Sequence, residues 1–121
     1  MAHIVDLAAK TDWTDLAEGE VRIVPILQYE NGVRVRMVVS RRGEWPKHVE
    51  QQTELYVVLK GEVIHLTESE QRVRAGEAIL LAPGEPHGAR VENGAVSINV
   101  DLRLAAAHAD LPALSSANPG G

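Results

Sequence analysis

An all-β domain, built as a sandwich or barrel, is what the sequence predicts, and three observations carry it. From Val21 onward, short runs of β-type residues follow one another: "VRIVPIL", "VRVRMVVS", "ELYVVLK", "EVIHLT", "QRVRA", "AILLA", "ARVEN" and "AVSINVDLRL". Strand signals at this density belong to sandwiches and barrels. The breaks "ENG", "KGE", "AGE", "PGEP" and a second "ENG" supply the glycine, asparagine and proline that tight turns require, so several are read as hairpins. At 121 residues the chain has room for one compact domain that can bury enough apolar surface to fold without covalent staples.

Taken in order, residues 1–20 ("DLAAKTDWTDLAEGE" within them) mix helix formers with Asp and Thr and read as a short helix or an arm over the barrel, with Trp13 as a packing anchor. The barrel is expected over residues 21–104. In "VRVRMVVS", Val33, Val35, Met37 and Val39 share one parity while Arg34 and Arg36 share the other, the alternation of a half-buried strand. The apolar run "AILLA" suggests burial on both sides. Residues 105–121 are Ala-rich and then Pro-, Ser- and Gly-rich, which reads as a helical turn fraying into a mobile tail with His108 on its surface; His3 is likewise read as a surface residue.

Composition narrows the partners. A net charge of -5, with arginines scattered among acids, argues against a nucleic-acid backbone, and two Trp, two Tyr and no Phe leave few rings for stacking bases. Without cysteine there is no disulfide framework, thiolate metal site or cysteine nucleophile. The start "MAHIVDLAAKTDW" has no basic segment followed by an apolar run, and no long apolar stretch follows, so a soluble, cytoplasmic protein with no membrane span is expected.

The chemistry concentrates in "GEWPKHVEQQTELYVVLKG". If residues 48–54 are extended, His48, Glu50, Gln52 and Glu54 line one wall, with Tyr56 and Val58 continuing it and Leu55, Val57 and Leu59 facing away. Two carboxylates and an imidazole at the start of a strand apolar on both faces cost several kcal/mol unless a cation or proton compensates. Further on, "PGEPH" places His87 after a turn. Two histidines and two carboxylates suit a divalent Zn, Fe, Mn or Ni ion with positions open for water or substrate. The bland alternative is a histidine at the barrel mouth bonded to a carboxylate, with Glu50 and Glu54 on a solvated rim. Tyr56 and Met37 line a pocket by parity or are simply core. Arg34 and Arg36 hold an anionic substrate if their face is the interior and are otherwise a solvated surface. His65 has no motif neighbour and is read as structural.

Residues 43–94 resemble the two-motif signature of the cupin superfamily, small double-stranded β-helix barrels of jelly-roll-like form with a metal or ligand site inside. Gly43, His48, Glu54 and Gly61 fit the first motif, with the first interval one residue short and Glu50 where the family has its second histidine. Gly76, Gly84 and His87 fit the second; Ala82 takes the proline position with Pro83 beside it, and Val91 the asparagine position. The resemblance implies a metal held by His48, Glu50, Glu54 and His87, with Glu50 or Glu54 acting as a catalytic base if not a ligand. It implies an enzyme on a small organic molecule, of dioxygenase, isomerase, cyclase, lyase or decarboxylase type, without choosing among them. The alternatives are a non-enzymatic small-ligand or metal-binding module and a metal-free acid and base catalyst of the epimerase type. A homodimer is expected, since barrels of this kind pair edge strands or sheet faces, with the amino-terminal arm and Trp13 as interface elements.

Overall fold

A computed structural model describes residues 2–30 and 32–102. The segment 105–121 and His108, read above as a tail, lie outside the described residues. Strands β1 (Val21–Gln28), β2 (Val33–His48), β3 (Thr53–Leu66), β4 (Glu70–Arg74), β5 (Ala78–Leu81) and β6 (His87–Leu102) follow a single 3-10 turn at Ala8–Lys10. They are joined in the order β1-β2-β6-β3-β4, with β5 paired to β3, and the pairings are antiparallel. No described helix is long and apolar enough to cross a membrane.

Two expected turns are not turns. β3 runs straight through "KGE" at Gly61, and β6 through "ENG" at Gly94, so four predicted strands merge into two. The glycines serve bends instead: the β3–β6 register shifts between Val58 and Lys60 and between Gly61 and Ile64, and the β2–β6 register shifts between Arg41 and Gly43. An extra residue on one strand bends it and sharpens its twist. The long strands thereby fold over themselves, and Val58 and Val63, on either side of the β3 bend, meet in one apolar cluster with Val73, Val91 and Ala95.

Gly61 has φ +73, and an added Cβ would run into the backbone carbonyl of Gly94. Gly76 has φ +89 with open space around it. Both sites disfavour an L side chain, but only Gly61 adds a backbone collision. Gly61→Ala is therefore expected to lose about 2 kcal/mol in urea unfolding and Gly76→Ala about 1 kcal/mol; equal losses would show that the bend yields to the extra methyl.

The amino-terminal segment is an arm rather than a helix. Leu7, Trp13 and Leu16 pack on Val24, Met37, Val39 and Val96, a second cluster on the opposite face of the sheet. The Trp13 ring lies where a Cβ at position 94 would project, which only glycine permits, and Lys60 Nζ stands 5.1 Å from the ring centroid. Arg22 ties the arm down by donating to both carboxylate oxygens of Asp15 at 2.8 Å and to the Lys10 carbonyl at 2.8 Å. Trp13, partly buried, thus serves as the packing anchor expected of it. With Met37 and Val39 fully buried, each contributes about 1.5–3 kcal/mol of transfer free energy.

Candidate functional site in the barrel interior

Antiparallel register sets out the inner wall in rows. Arg34, Asp101, Glu54 and Leu81 stand opposite one another across β2, β6, β3 and β5; Arg36, Asn99, Tyr56 and Ile79 form the next row, and Val38, Ser97 and Val58 the one after. Residues directly opposite share a face, so the Arg34 and Arg36 parity of β2 is the interior one. A cavity of about 260 Å³ opens above these rows, and Arg36, His48, Tyr56, His65, His87 and Asn99 bring polar groups to it.

His87 and Glu54 meet inside. His87 Nε2 lies 2.9 Å from Glu54 Oε1, with side-chain exposures of 4% and 5%. The other ring nitrogen, Nδ1, lies 3.0 Å from the Glu85 carbonyl. The carbonyl and the ionised carboxylate both only accept, so the two contacts together favour a proton on each ring nitrogen, the charged imidazolium. Tyr56 donates its hydroxyl to the second oxygen of Glu54 at 2.6 Å. Burial pushes the Glu54 pKa up, but the contacts with His87 and Tyr56 and the charge of His87 outweigh it and hold the group below its ordinary value. The Glu54 contact raises the His87 pKa against the effect of desolvation, with the Glu85 carbonyl assisting. Burial, and then the Glu54 carboxylate, push that of Tyr56 far up.

His48 and Glu50 form a looser pair at the mouth, Nε2 to Oε1 3.4 Å, with side chains 51% and 41% exposed. The ring centroid of His48 is 4.6 Å from that of His87, its partner in the β2–β6 register. The parity expected over 48–54 is broken, because β2 ends at His48, β3 begins at Thr53, and residues 49–52 join them without strand geometry. Gln52 is consequently buried elsewhere, beside Arg34, Asp101 and Tyr29 in a separate cavity. Met37, with the opposite parity from Arg36, lies under the arm and not on the cavity wall.

Sequence reasoning passed over His65. It is buried, lines the cavity, and its ring centroid is 5.2 Å from that of Tyr56. Its parity with Val63 in "EVIHL" was the available signal. Desolvation, then the charge of His87, lowers its pKa to about 4. A histidine held neutral in the fold but free to protonate when unfolded costs stability as pH falls from 6.5 towards that value. Between pH 7 and pH 5 the fold is expected to lose about 2 kcal/mol through this residue. Urea unfolding of His65→Gln against the original protein at both pH values checks this, and an unchanged difference would place His65 in contact with water.

Two ion pairs meet at Asp101, which is 1% exposed. Arg34 donates to its Oδ2 through Nε at 2.8 Å and Nη2 at 2.5 Å, and Arg36 reaches the same oxygen through Nη2 at 3.4 Å. Burial raises the Asp101 pKa, countered by Arg34 and Arg36. Among the described residues, Arg36 Nε, Glu54 Oε1, His65 Nδ1, His87 Nε2 and Asp101 Oδ1 are buried without a well-directed hydrogen bond.

Nitrogen and oxygen donors of these kinds suit Zn, Fe, Mn or Ni. As placed, however, they form two separate pairs, and among the described residues no group of three or more His, Asp or Glu is arranged to hold a metal ion. The chemistry below is built on the side chains alone.

The sequence matches the family described as "Cupin domain" over residues 33–99. The protein belongs to the cupin family. Among solved structures, this cupin is similar to a conserved Streptococcus pyogenes protein of unknown function, with 16% identity, TM-score 0.71, and 88% of this chain and 91% of that one covered. It is also similar to an RmlC-like cupin from Shewanella frigidimarina, with 16% identity, TM-score 0.66, and 87% and 95% covered. A third similar structure is a DMSP lyase from Ruegeria pomeroyi, with 18% identity, TM-score 0.61, and 70% and 49% covered. No curated protein matches the sequence. At such identities the likeness concerns the fold, an all-β double-stranded β-helix, and the cupin's site has to be read from its own residues.

Proposed function

We propose that this cupin moves a proton on a small organic molecule bound in the barrel, with His87 and Glu54 as the working pair. The observation that carries the reading is the buried 2.9 Å contact between His87 Nε2 and Glu54 Oε1, with the Nδ1 proton committed to the Glu85 carbonyl. With Nδ1 committed, the pair can take up one proton, which it holds between Nε2 and Oε1. Glu54 stabilises the resulting imidazolium, and Tyr56 keeps the carboxylate in place by binding its other oxygen. In a site this shielded from water such charge interactions are stronger than at a surface. The fitting reaction is reversible removal of a proton from carbon next to a carbonyl, as in an isomerase or epimerase; a pair of this kind typically contributes a 10²–10⁴-fold acceleration.

Deuterium exchange into 2-oxobutanoate and 4-oxopentanoate, followed by proton NMR in D2O, tests the reading. Exchange above the buffer rate that survives dialysis against EDTA supports it. Absence of exchange by the folded protein would leave a binding module. Exchange lost on chelation and restored by Zn, Fe, Mn or Ni would mean that the four donors gather around a metal.

A further inference from the structure

Arg36 stands on the cavity wall with its charge only partly answered. Asp101 is the one carboxylate its guanidinium is seen to reach among the described residues, and Arg34 already holds the same oxygen through two shorter bonds. Arg36 Nε is buried and donates no hydrogen bond. A guanidinium N–H taken out of water and left unbonded is costly. Its Nε and Nη2 form the edge of a planar fork that matches the two oxygens of a carboxylate. Across the sheet from Arg36 stands Asn99 and then Tyr56, the residue that holds Glu54, so an anion on Arg36 lies in the row next to the proton-transfer pair.

Charge sets the size of the anion. Arg34 and Arg36 contribute two positive charges to these rows and Asp101 and Glu54 two negative, so with His87 neutral, as the base must be, the rows are balanced. A monoanion adds a single negative charge beside the two carboxylates, whereas a dianion adds two. The remaining wall is mostly apolar, with Ile23, Val38, Val63 and Val91, and is interrupted by Ser40 and Ser97. The cavity of about 260 Å³ is at the small end for a ligand pocket.

Building on the proton-transfer reading, the geometry points to a small organic monocarboxylate as the guest, its carboxylate on the Nε and Nη2 edge of Arg36 and its apolar body against Val38, Val63 and Val91. Arg36 is then the residue that selects acids and sets which carbon faces His87.

Nitrogen-15 NMR of the whole protein tests this through the Arg36 Nε–Hε signal, assigned by its loss in Arg36→Gln. Benzoate and 3-methylbutanoate are the probes, with benzamide and 3-methylbutanamide as shape-matched neutral controls. Both acids are expected to move the signal saturably, the amides to bind at least tenfold more weakly, and Arg36→Gln to lose at least tenfold in affinity for the acids. Arg36→Lys, which keeps the charge but not the fork, should fall between. Amides binding as well as acids, or inorganic phosphate moving the signal as strongly as benzoate, would overturn the assignment. Should Arg36→Gln not fold, Arg36→Lys supplies the signal assignment, and the acid and amide comparison on the original protein decides. Glu54→Gln separates the two readings: acid binding that survives in it while exchange is lost leaves the carboxylate site standing, whereas exchange by the original protein without acid selectivity leaves only the proton-transfer pair.

Discussion

Asp101→Ala is expected to lower the stability of the fold by about 3 kcal/mol, because breaking a buried ion pair from one side leaves the other charge desolvated and unpaired. Asp101 is 1% exposed and gathers Arg34 and Arg36, whose side chains are 40% and 20% exposed. The partial exposure of the arginines puts the loss at the lower end of the range for buried pairs, since water screens part of the orphaned charge. Even so, about 3 kcal/mol is a large share of the 5–15 kcal/mol that holds a typical domain together. Removing Glu18, which pairs with Arg42 on the surface at 3.5 Å with both side chains at least 65% exposed, should change stability by less than about 0.5 kcal/mol. Urea denaturation of both variants makes the comparison. Similar losses would mean that the Arg34–Asp101–Glu54 row is as wet as the surface.

His87→Asn and Glu54→Gln are each expected to slow proton exchange by at least about 10²-fold, and the double variant by scarcely more than either alone. The lack of additivity follows from the contact itself: the imidazolium formed at Nε2 and the carboxylate 2.9 Å away work as one unit, so either loss disables both. His48→Ala, at the mouth and half-exposed, should cost less than about tenfold. The pH profile carries the sign of the mechanism. Neutral His87 is the base, and its pKa lies above the ordinary value through the Glu54 contact, so exchange should fall as pH drops through a midpoint above 6.5. In Glu54→Gln that contact weakens and the midpoint should move down. A His48→Ala protein as impaired as His87→Asn, or a midpoint indifferent to Glu54, would remove the buried pair from the chemistry.

Much of the architecture was legible in the sequence. Alternation in "VRVRMVVS" separated Arg34 and Arg36 from Met37 and Val39, and these two sets do face opposite sides of the sheet. Turn chemistry placed reversals at "AGE" and "PGEP" correctly, but it misjudged Gly61 and Gly94. A glycine that relieves a turn and one that relieves a bend against a neighbouring strand look alike along the chain. Spacing singled out His48, Glu54 and His87 from the surrounding residues, and the fold brings Glu54 into contact with His87 and sets His48 beside it. The common wall for His48, Glu50, Gln52 and Glu54 failed because parity holds only within one strand, and the chain changes strand between His48 and Thr53.

By itself, then, the sequence determined the all-β class, the alternation of residues 33–39 and of 54–59, and the small set of residues able to do chemistry, since these depend on spacing along the chain. Only the tertiary structure decided which parity faces inward, that Arg36, Asn99 and Tyr56 form one row, and that His65 is buried beside them. Those outcomes rest on register between strands far apart in sequence, such as Arg36 opposite Asn99 and Asn99 opposite Tyr56. Register is fixed by the whole sheet closing around its core, and a shift of one residue would turn every one of these side chains to the other face.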